Sequence, residues 1–384
     1  MKNLLIGIAI LILFSCSSSP KIETEKGPEE RLIEKPQINY KLNSLPKGIN
    51  VIYFSDLAIK EPFPDEVKGL LTNYYSFSKN REYFPDINFI DLNEEDSCSM
   101  NFDKKNYNLI FLLKNSLNKG PEELCLNRFT NNQTLVISDS DNTFIPKNLK
   151  TFLINRDDDK SRLINLMSSY SENIMIIDND VTKDKYEIGE MWKNKFNKKV
   201  SEYKTLNKKE SNQSIFSNLL LIEQSLKRKR KLSRIISKDL EHKSRARKDI
   251  DTLILSVNTQ EARSLKPALD YSYFEGMEVF LINDWAGDVR FNKTDKDLEN
   301  VISIDIPFLL PTDLPEGLER LQSKTRNFAI GYDAFEIVLL IKGTSNLDKI
   351  TYKGLTGQIT IKDKNISRKS IIFVFKNGIY EYLN

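Results

Sequence analysis

The chain contains one histidine, three cysteines and 14 glycines in 384 residues, and each scarcity removes a class of chemistry. A zinc site or a Ser-His-Asp relay needs partners at fixed spacing. The lone imidazole, His242, sits instead among Lys and Arg and reads as a solvated surface residue. Glycine is nowhere concentrated: there is no phosphate-cradling Gly-x-x-x-x-Gly-Lys loop, no Gly-x-Gly-x-x-Gly and no Gly-x-Ser-x-Gly elbow. The acidic runs Asn93-Glu94-Glu95-Asp96 and Asp157-Asp158-Asp159 lack the ligand pattern of a calcium loop and read as solvated turns. The residues therefore offer no catalyst, no metal site and no cofactor site. Long apolar runs are equally scarce, because only Leu4 to Phe14 forms one.

That run is informative. Met1-Lys2-Asn3 supplies a positive start, Leu4 to Phe14 an apolar core, and Ser15 a small residue just before Cys16. Charged start, short apolar segment and small-residue cut make a secretory signal over residues 1–15, too short for a permanent span of about 20 residues. A cysteine directly after the cut resembles the lipobox of bacterial lipoproteins. The resemblance implies acylation at Cys16. Ser17 stands where an inner-membrane retention signal would place Asp, so the expected location is the periplasmic face of the outer membrane. In that oxidising compartment the remaining pair, Cys98 and Cys125, are candidates for a disulfide. Closing that loop contributes about 3–4 kcal/mol in the chain-entropy model.

Residues 16–47, rich in Ser, Pro, Lys and Glu, read as a lipidated N-terminus and disordered tether. From Gly48 short apolar runs alternate with helical ones. Ile49–Leu57, Ile87–Leu92, Tyr107–Leu113, Thr134–Asp139 and Phe152–Asn155 are expected strands, with a helix over Asp65–Ser78. The alternation continues through Lys160–Tyr170, Asn173–Asp178, Lys185–Lys198, Val200–Leu206, one long amphipathic stretch over Ser214–Leu240, Thr252–Asn258, Gln260–Tyr271 and Glu278–Asn283. A helix over Leu318–Lys342 precedes strands at Gly357–Lys362, Ser370–Phe375 and Ile379–Leu383. Strands alternating with helices predict parallel sheets covered on both faces. A late helix before a terminal hairpin fits two hinged lobes over 48–384, with crossovers expected near 153–160, 306–311 and 343–350.

Specific stretches carry a family resemblance. Arg245-Ala246-Arg247-Lys248-Asp249-Ile250-Asp251 leads into the strand at Thr252, followed by Asn258-Thr259-Gln260-Glu261-Ala262-Arg263, Lys266-Pro267-Ala268-Leu269 and Tyr273. Later come Ile306-Pro307, Gly331-Tyr332-Asp333-Ala334, Gly354-Leu355-Thr356-Gly357 and Arg368-Lys369. These resemble the LppC/LpoA group, outer-membrane lipoproteins that activate a bifunctional penicillin-binding protein. The later motifs also occur among type I periplasmic binding proteins. The resemblance implies an α/β fold of two lobes, each a mainly parallel sheet flanked by helices. It also implies a peptidoglycan synthase as partner; with no catalytic or cofactor motif in the residues no enzymatic activity or cofactor is expected, and export to the periplasm sets nucleic acid aside as a partner. Larger members carry a helical-repeat domain before the α/β domain, which the first strand, about 33 residues after Cys16, leaves no room for here.

The charge is lopsided. The net charge is +3, yet Lys227 to Lys248 holds eleven Lys or Arg against two acids. Its densest part, Lys227-Arg228-Lys229-Arg230-Lys231, is a candidate contact with anionic lipid or glycan, or with an acidic patch on a partner; a solvated helix face is the plainer reading. The rival function is a lipid-anchored solute receptor, with Asp284, Trp285, Asp305 and Tyr332 as candidate cleft residues.

Overall fold

The computed structural model describes residues 40–55, 63–93, 105–113, 125–129, 133–139, 145–154, 156–179, 184–207, 209–242, 246–272, 276–282, 293–310, 318, 324–344, 349–362 and 365–383. In chain order the first elements are β1 (Gly48–Tyr53), α1 (Asp65–Arg81), β2 (Asp86–Asp91), β3 (Tyr107–Leu112), β4 (Thr134–Ser138) and β5 (Lys150–Leu153). Next come α2 (Arg156–Ser168), β6 (Asn173–Asp178), α3 (Asp184–Phe196), β7 (Lys199–Thr205), α4 (Asn212–Leu219) and α5 (Ile222–Ile236). They are followed by β8 (Thr252–Ser256), α6 (Thr259–Tyr271), β9 (Glu278–Leu281), β10 (Val301–Asp305) and α7 (Arg326–Gly343). The chain closes with β11 (Lys349–Gly354), β12 (Gly357–Lys362), β13 (Asn365–Lys369), β14 (Ile371–Lys376) and β15 (Ile379–Tyr382).

These strands form two sheets, one per lobe. The first has the order β11-β12-β13-β5-β4-β3-β1-β2, the second β15-β14-β10-β9-β8-β6-β7. Pairing from β13 through β5 to β2 is parallel, as it is from β10 to β7. The late strands β11, β12 and β14, β15 add antiparallel ribbons at one edge of each sheet. Strands β1, β3, β4, β8 and β10 are buried along their whole length. Continuous apolar runs such as Leu109-Ile110-Phe111-Leu112 therefore pack helices on both faces. Each sheet has an apolar cluster on either side, one pair around Phe111 and Ile52, the other around Phe373 and Trp192.

In the first lobe α1 and α7 cross at unusually close range because glycine faces backbone at two points. A Cβ at Gly69 would overlap the Phe328 carbonyl, and one at Gly331 the Glu66 carbonyl. Asn73 donates to the Tyr332 carbonyl at 2.8 Å across the same contact.

Four expectations are corrected. The tether does not run to Lys47: Lys41 N–H donates to the Gly343 carbonyl, Tyr40 OH to Glu336 Oε1 at 2.6 Å, and Leu45 is buried. Apolar side chains at 40 and 45 dock this segment on α7. The third crossover is not at 343–350, since α7 and β11 both belong to the first lobe; the chain crosses at Ser370, between β13 and β14. The stretch expected as one helix from Ser214 is two, broken where Leu221 takes a left-handed conformation (φ 59°). Finally, Asp157-Asp158-Asp159 is no turn but the first turn of α2, where carboxylates offset the helix dipole.

Candidate functional site: the lobe joint and the basic arm

Each sheet runs in the order 2-1-3-4-5 counted from its own first parallel strand, the arrangement that opens a crevice at the strand C-termini where chain direction reverses. In the second lobe that point lies between β6 and β8. There Asn258 caps α6, accepting from Glu261 N–H at 2.8 Å, while the Glu261 carboxylate accepts from Asn258 N–H and from Asn179 Nδ2 at 2.8 Å. The polar groups at this switch point thus hold one another. In the first lobe Glu66 lies in the first turn of α1 and is 5% exposed. Its Oε2 is buried without a hydrogen-bond partner. Burial, with repulsion from Asp65 and Asp139, pushes its carboxyl up to about 7, although Asn327 donates to it.

The joint between lobes is built from charged pairs at the crossings. Asp305, fully buried at the end of β10, receives both Arg326 guanidinium nitrogens, at 2.7 and 2.6 Å, from the start of α7. Asp159 of α2 accepts from Arg368 at 2.9 Å and from Ser370 Oγ at 2.8 Å. Arg368 also donates to the Thr356 carbonyl and to Ser370 Oγ, and Arg162 donates to the Ser370 carbonyl at 2.8 Å. The third crossing is therefore fixed on all sides. Removing one member of such a buried pair costs about 3–5 kcal/mol, because a charge is left without a partner. Beside it, Ile306, Phe308, Leu309, Phe328, Tyr332 and Leu355 form an apolar cluster spanning the second crossing.

One pair of motifs proves to be a single structural unit. Asp333 accepts from Leu355 N–H at 2.8 Å, Thr356 N–H at 2.7 Å and Thr356 Oγ1 at 2.6 Å. Its burial pushes the carboxyl up to about 6, against the pull of those three donors. A Cβ at Gly354 would collide with that carboxylate, and Gly357 adopts a φ of 133°, a region that favours glycine. Motif residues of the second lobe are ties of the same kind. Arg263 donates to Asp295 at 2.6 Å, Tyr380 OH to the other oxygen of Asp295 at 3.0 Å, and Asp251 accepts from the backbone N–H groups of Glu172 and Asn173. Among the described residues no group of three His, Cys, Asp or Glu is placed to hold a metal.

The sequence-derived candidates fall in three places. Asp305 and Tyr332 both lie at the joint, the first ion-paired with Arg326 and the second packed in the adjoining apolar cluster. Cys16, Cys98, Asp284 and Trp285 lie outside the described residues. Cys125 is disulfide-bonded, to a partner also outside them. Lys227 to Lys231 line α5, a helix with no buried residue. His242 is exposed and hydrogen-bonds Ser225 Oγ at 3.1 Å. Sequence reasoning did not find Asp159, Arg162 or Ser370. Arg368 stands 209 residues from Asp159, a distance at which no local pattern links them.

Comparison with known proteins places this architecture. The family model described as "LppC putative lipoprotein" matches residues 186–378. The penicillin-binding protein activator LpoA of Photobacterium profundum is 24% identical over 168 residues, 41% of this chain and 27% of that protein. The LpoA C-domain from Haemophilus influenzae, whose structure is described as "a regulator of PBP1A", superposes with a TM-score of 0.56 at 12% identity, covering 88% of this chain and 100% of that one. Full-length Haemophilus LpoA gives a TM-score of 0.56 at 11% identity, with 88% of this chain covering 58% of that one. A "putative branched-chain amino acid ABC transporter" from Rhodospirillum rubrum gives 0.59 at 11% identity, covering 88% and 99%. At such identities the structural likenesses establish the fold alone. The chain thus spans about a quarter of its curated relative and 58% of full-length LpoA.

Proposed function

This chain belongs to the LppC lipoprotein family, and from that membership we propose that it is a lipid-anchored regulator, on the periplasmic face of the outer membrane, that docks on a bifunctional penicillin-binding protein and raises its peptidoglycan-synthesising activity. The observation that carries this reading is the family match over 186–378, which contains most of the second lobe and the α7–β12 unit built around Asp333. Its motifs act as structural ties that hold a body of defined shape. A body of that kind serves recognition.

Activation by docking has a thermodynamic requirement. The regulator must bind the active synthase conformation more tightly than the inactive one, and a tenfold shift between them needs about 1.4 kcal/mol of differential affinity. A rigid joint favours such discrimination, because a surface that deforms freely fits both states. The buried pairs Arg326–Asp305 and Arg368–Asp159 supply that rigidity.

The test is a pull-down with residues 17–384 from detergent-solubilised envelope, followed by a glycan-polymerisation assay with the recovered protein. A bifunctional penicillin-binding protein is expected in the eluate, with faster polymerisation when the regulator is added. Recovery of no synthase, together with a small solute that raises the melting temperature, would replace this reading with that of a solute receptor.

A further inference from the structure

The second helix of the split amphipathic stretch is not part of the second lobe's core. Helix α4 is anchored through Ile215, Phe216 and Leu219, and Leu220 is fully buried. At Leu221 the backbone turns left-handed, and from Ile222 to Ile236 no residue is buried. The helix of 15 residues projects about 22 Å before a second left-handed residue, Ser237 (φ 53°), reverses the chain. The returning segment lies along the helix: Asp239 pairs with Lys229 at 2.9 Å and His242 meets Ser225 at 3.1 Å. Arg247 N–H closes the base on the Leu220 carbonyl at 3.0 Å. Residues 221–242, closed at the base by Arg247, thus make an arm.

Its tip is apolar and ringed with positive charge. Leu232, Ile235 and Ile236 are 49%, 70% and 52% exposed and, at spacing i, i+3, i+4, share one patch. Arg228 and Lys231 precede Leu232 and Ile235 by one turn, Arg234 lies on the flank of Ile235 and Lys238 just past the helix end, and all four are exposed. Exposing branched aliphatic side chains together in water is unfavourable, so the patch calls for a cover.

We infer that the tip of this arm inserts shallowly into a bilayer surface containing anionic phospholipid, with Leu232, Ile235 and Ile236 reaching the acyl boundary and the surrounding cations meeting phosphates. Two observations favour lipid over a protein groove. A helix docking in a groove presents an extended stripe at i, i+3, i+4, i+7. Here the positions inward of the patch, Ser225 and Lys229, are both engaged by the returning segment; Leu226 is 36% exposed between them, so the apolar surface is widest at the tip and breaks up toward the base. The second is reach. Cys16 and Tyr40 are separated by 24 residues, up to about 80 Å of extended chain, which lets a lipidated protein lay this arm on the membrane that holds it. This inference uses the lipid anchor and not the synthase partner.

The test is amide hydrogen exchange, read by mass spectrometry, on the acylated protein in vesicles of phosphatidylcholine alone or mixed with phosphatidylglycerol. Amides of residues 226–236 are expected to exchange at least about tenfold more slowly on the mixed vesicles, and the protection to vanish in the variant Leu232→Asn/Ile235→Asn/Ile236→Asn. Each cation removed, as in Lys231→Gln or Arg234→Gln, is expected to weaken the vesicle contact roughly fivefold. All five side chains are exposed, so the fold tolerates these changes. Equal exchange on both vesicles, or protection that appears only when a penicillin-binding protein is added, overturns the lipid assignment.

Discussion

Replacing Glu66 by glutamine isolates one carboxyl titration that the first lobe contributes to stability between pH 4.5 and 8. Glu66 is held in the first turn of α1 with one carboxylate oxygen buried and unpartnered, and its carboxyl is pushed from an ordinary 4.5 up to about 7. Below about pH 4.5 folded and unfolded chains both carry the proton. Between 4.5 and 7 the folded chain keeps a proton that the unfolded chain releases, so stability falls as pH rises. Above 7 both forms are ionised and the full penalty stands, about 3 kcal/mol for a displacement of this size. Glutamine cannot ionise. Glu66→Gln is therefore expected to gain about 3 kcal/mol relative to wild type on going from pH 4.5 to pH 8, whatever constant offset the amide introduces. Asp333, also pushed up, to about 6, slopes in the same direction but in both proteins, so the difference cancels it. The assay is urea unfolding followed by circular dichroism at pH 4.5, 6, 7 and 8. A wild-type-to-variant difference that stays constant across that range would refute the reasoning.

Other perturbations probe the ties directly. Asp333→Ala strands the N–H groups of Leu355 and Thr356 and the Thr356 hydroxyl; it is expected to cost about 3 kcal/mol, visible in urea midpoints, with local exchange of 354–357 amides accelerated. Gly331→Ala drives a methyl group into the Glu66 carbonyl, so α1 and α7 must separate and the melting temperature should fall by the equivalent of about 2–3 kcal/mol. Serine at an exposed site of the same helices provides the control. For the disulfide of Cys125 we propose Cys98 as the partner: non-reducing peptide mapping should recover the linked pair, and Cys125→Ser should lose about 3–4 kcal/mol. A Cys125 peptide linked elsewhere refutes that pairing.

The elements set by local pattern were legible. Runs such as Leu109–Leu112 and Ile174–Ile177 announced strands covered on both faces, and the alternation with helices announced parallel sheets in two lobes. Three strands escaped notice. β10 mixes Ser303 and Asp305 among its apolar residues, while β11 and β13 carry Lys, Thr, Ser and Arg because they lie in a ribbon with one polar side. The helix break at Leu221 was equally silent, since leucine is a good helix former and nothing local marks the position where the buried Leu220 gives way to the left-handed Leu221.

The family stretches show most clearly where sequence reading stops. Tyr332-Asp333-Ala334 and Leu355-Thr356-Gly357 were visible as separate motifs; that the carboxylate of one is the cap of the other required the fold. Arg368 was a residue in a basic step and Asp159 one acid in a run that reads as a turn, yet together they fix the crossing at Ser370. The sequence by itself determined the apolar periodicity and the concentration of charge in the arm, both properties of neighbouring residues. The tertiary structure alone decided which distant charges meet, that the lobe crosses at Ser370, and that Leu232, Ile235 and Ile236 are left facing water. Those outcomes depend on burial, and burial is conferred by parts of the chain hundreds of residues away.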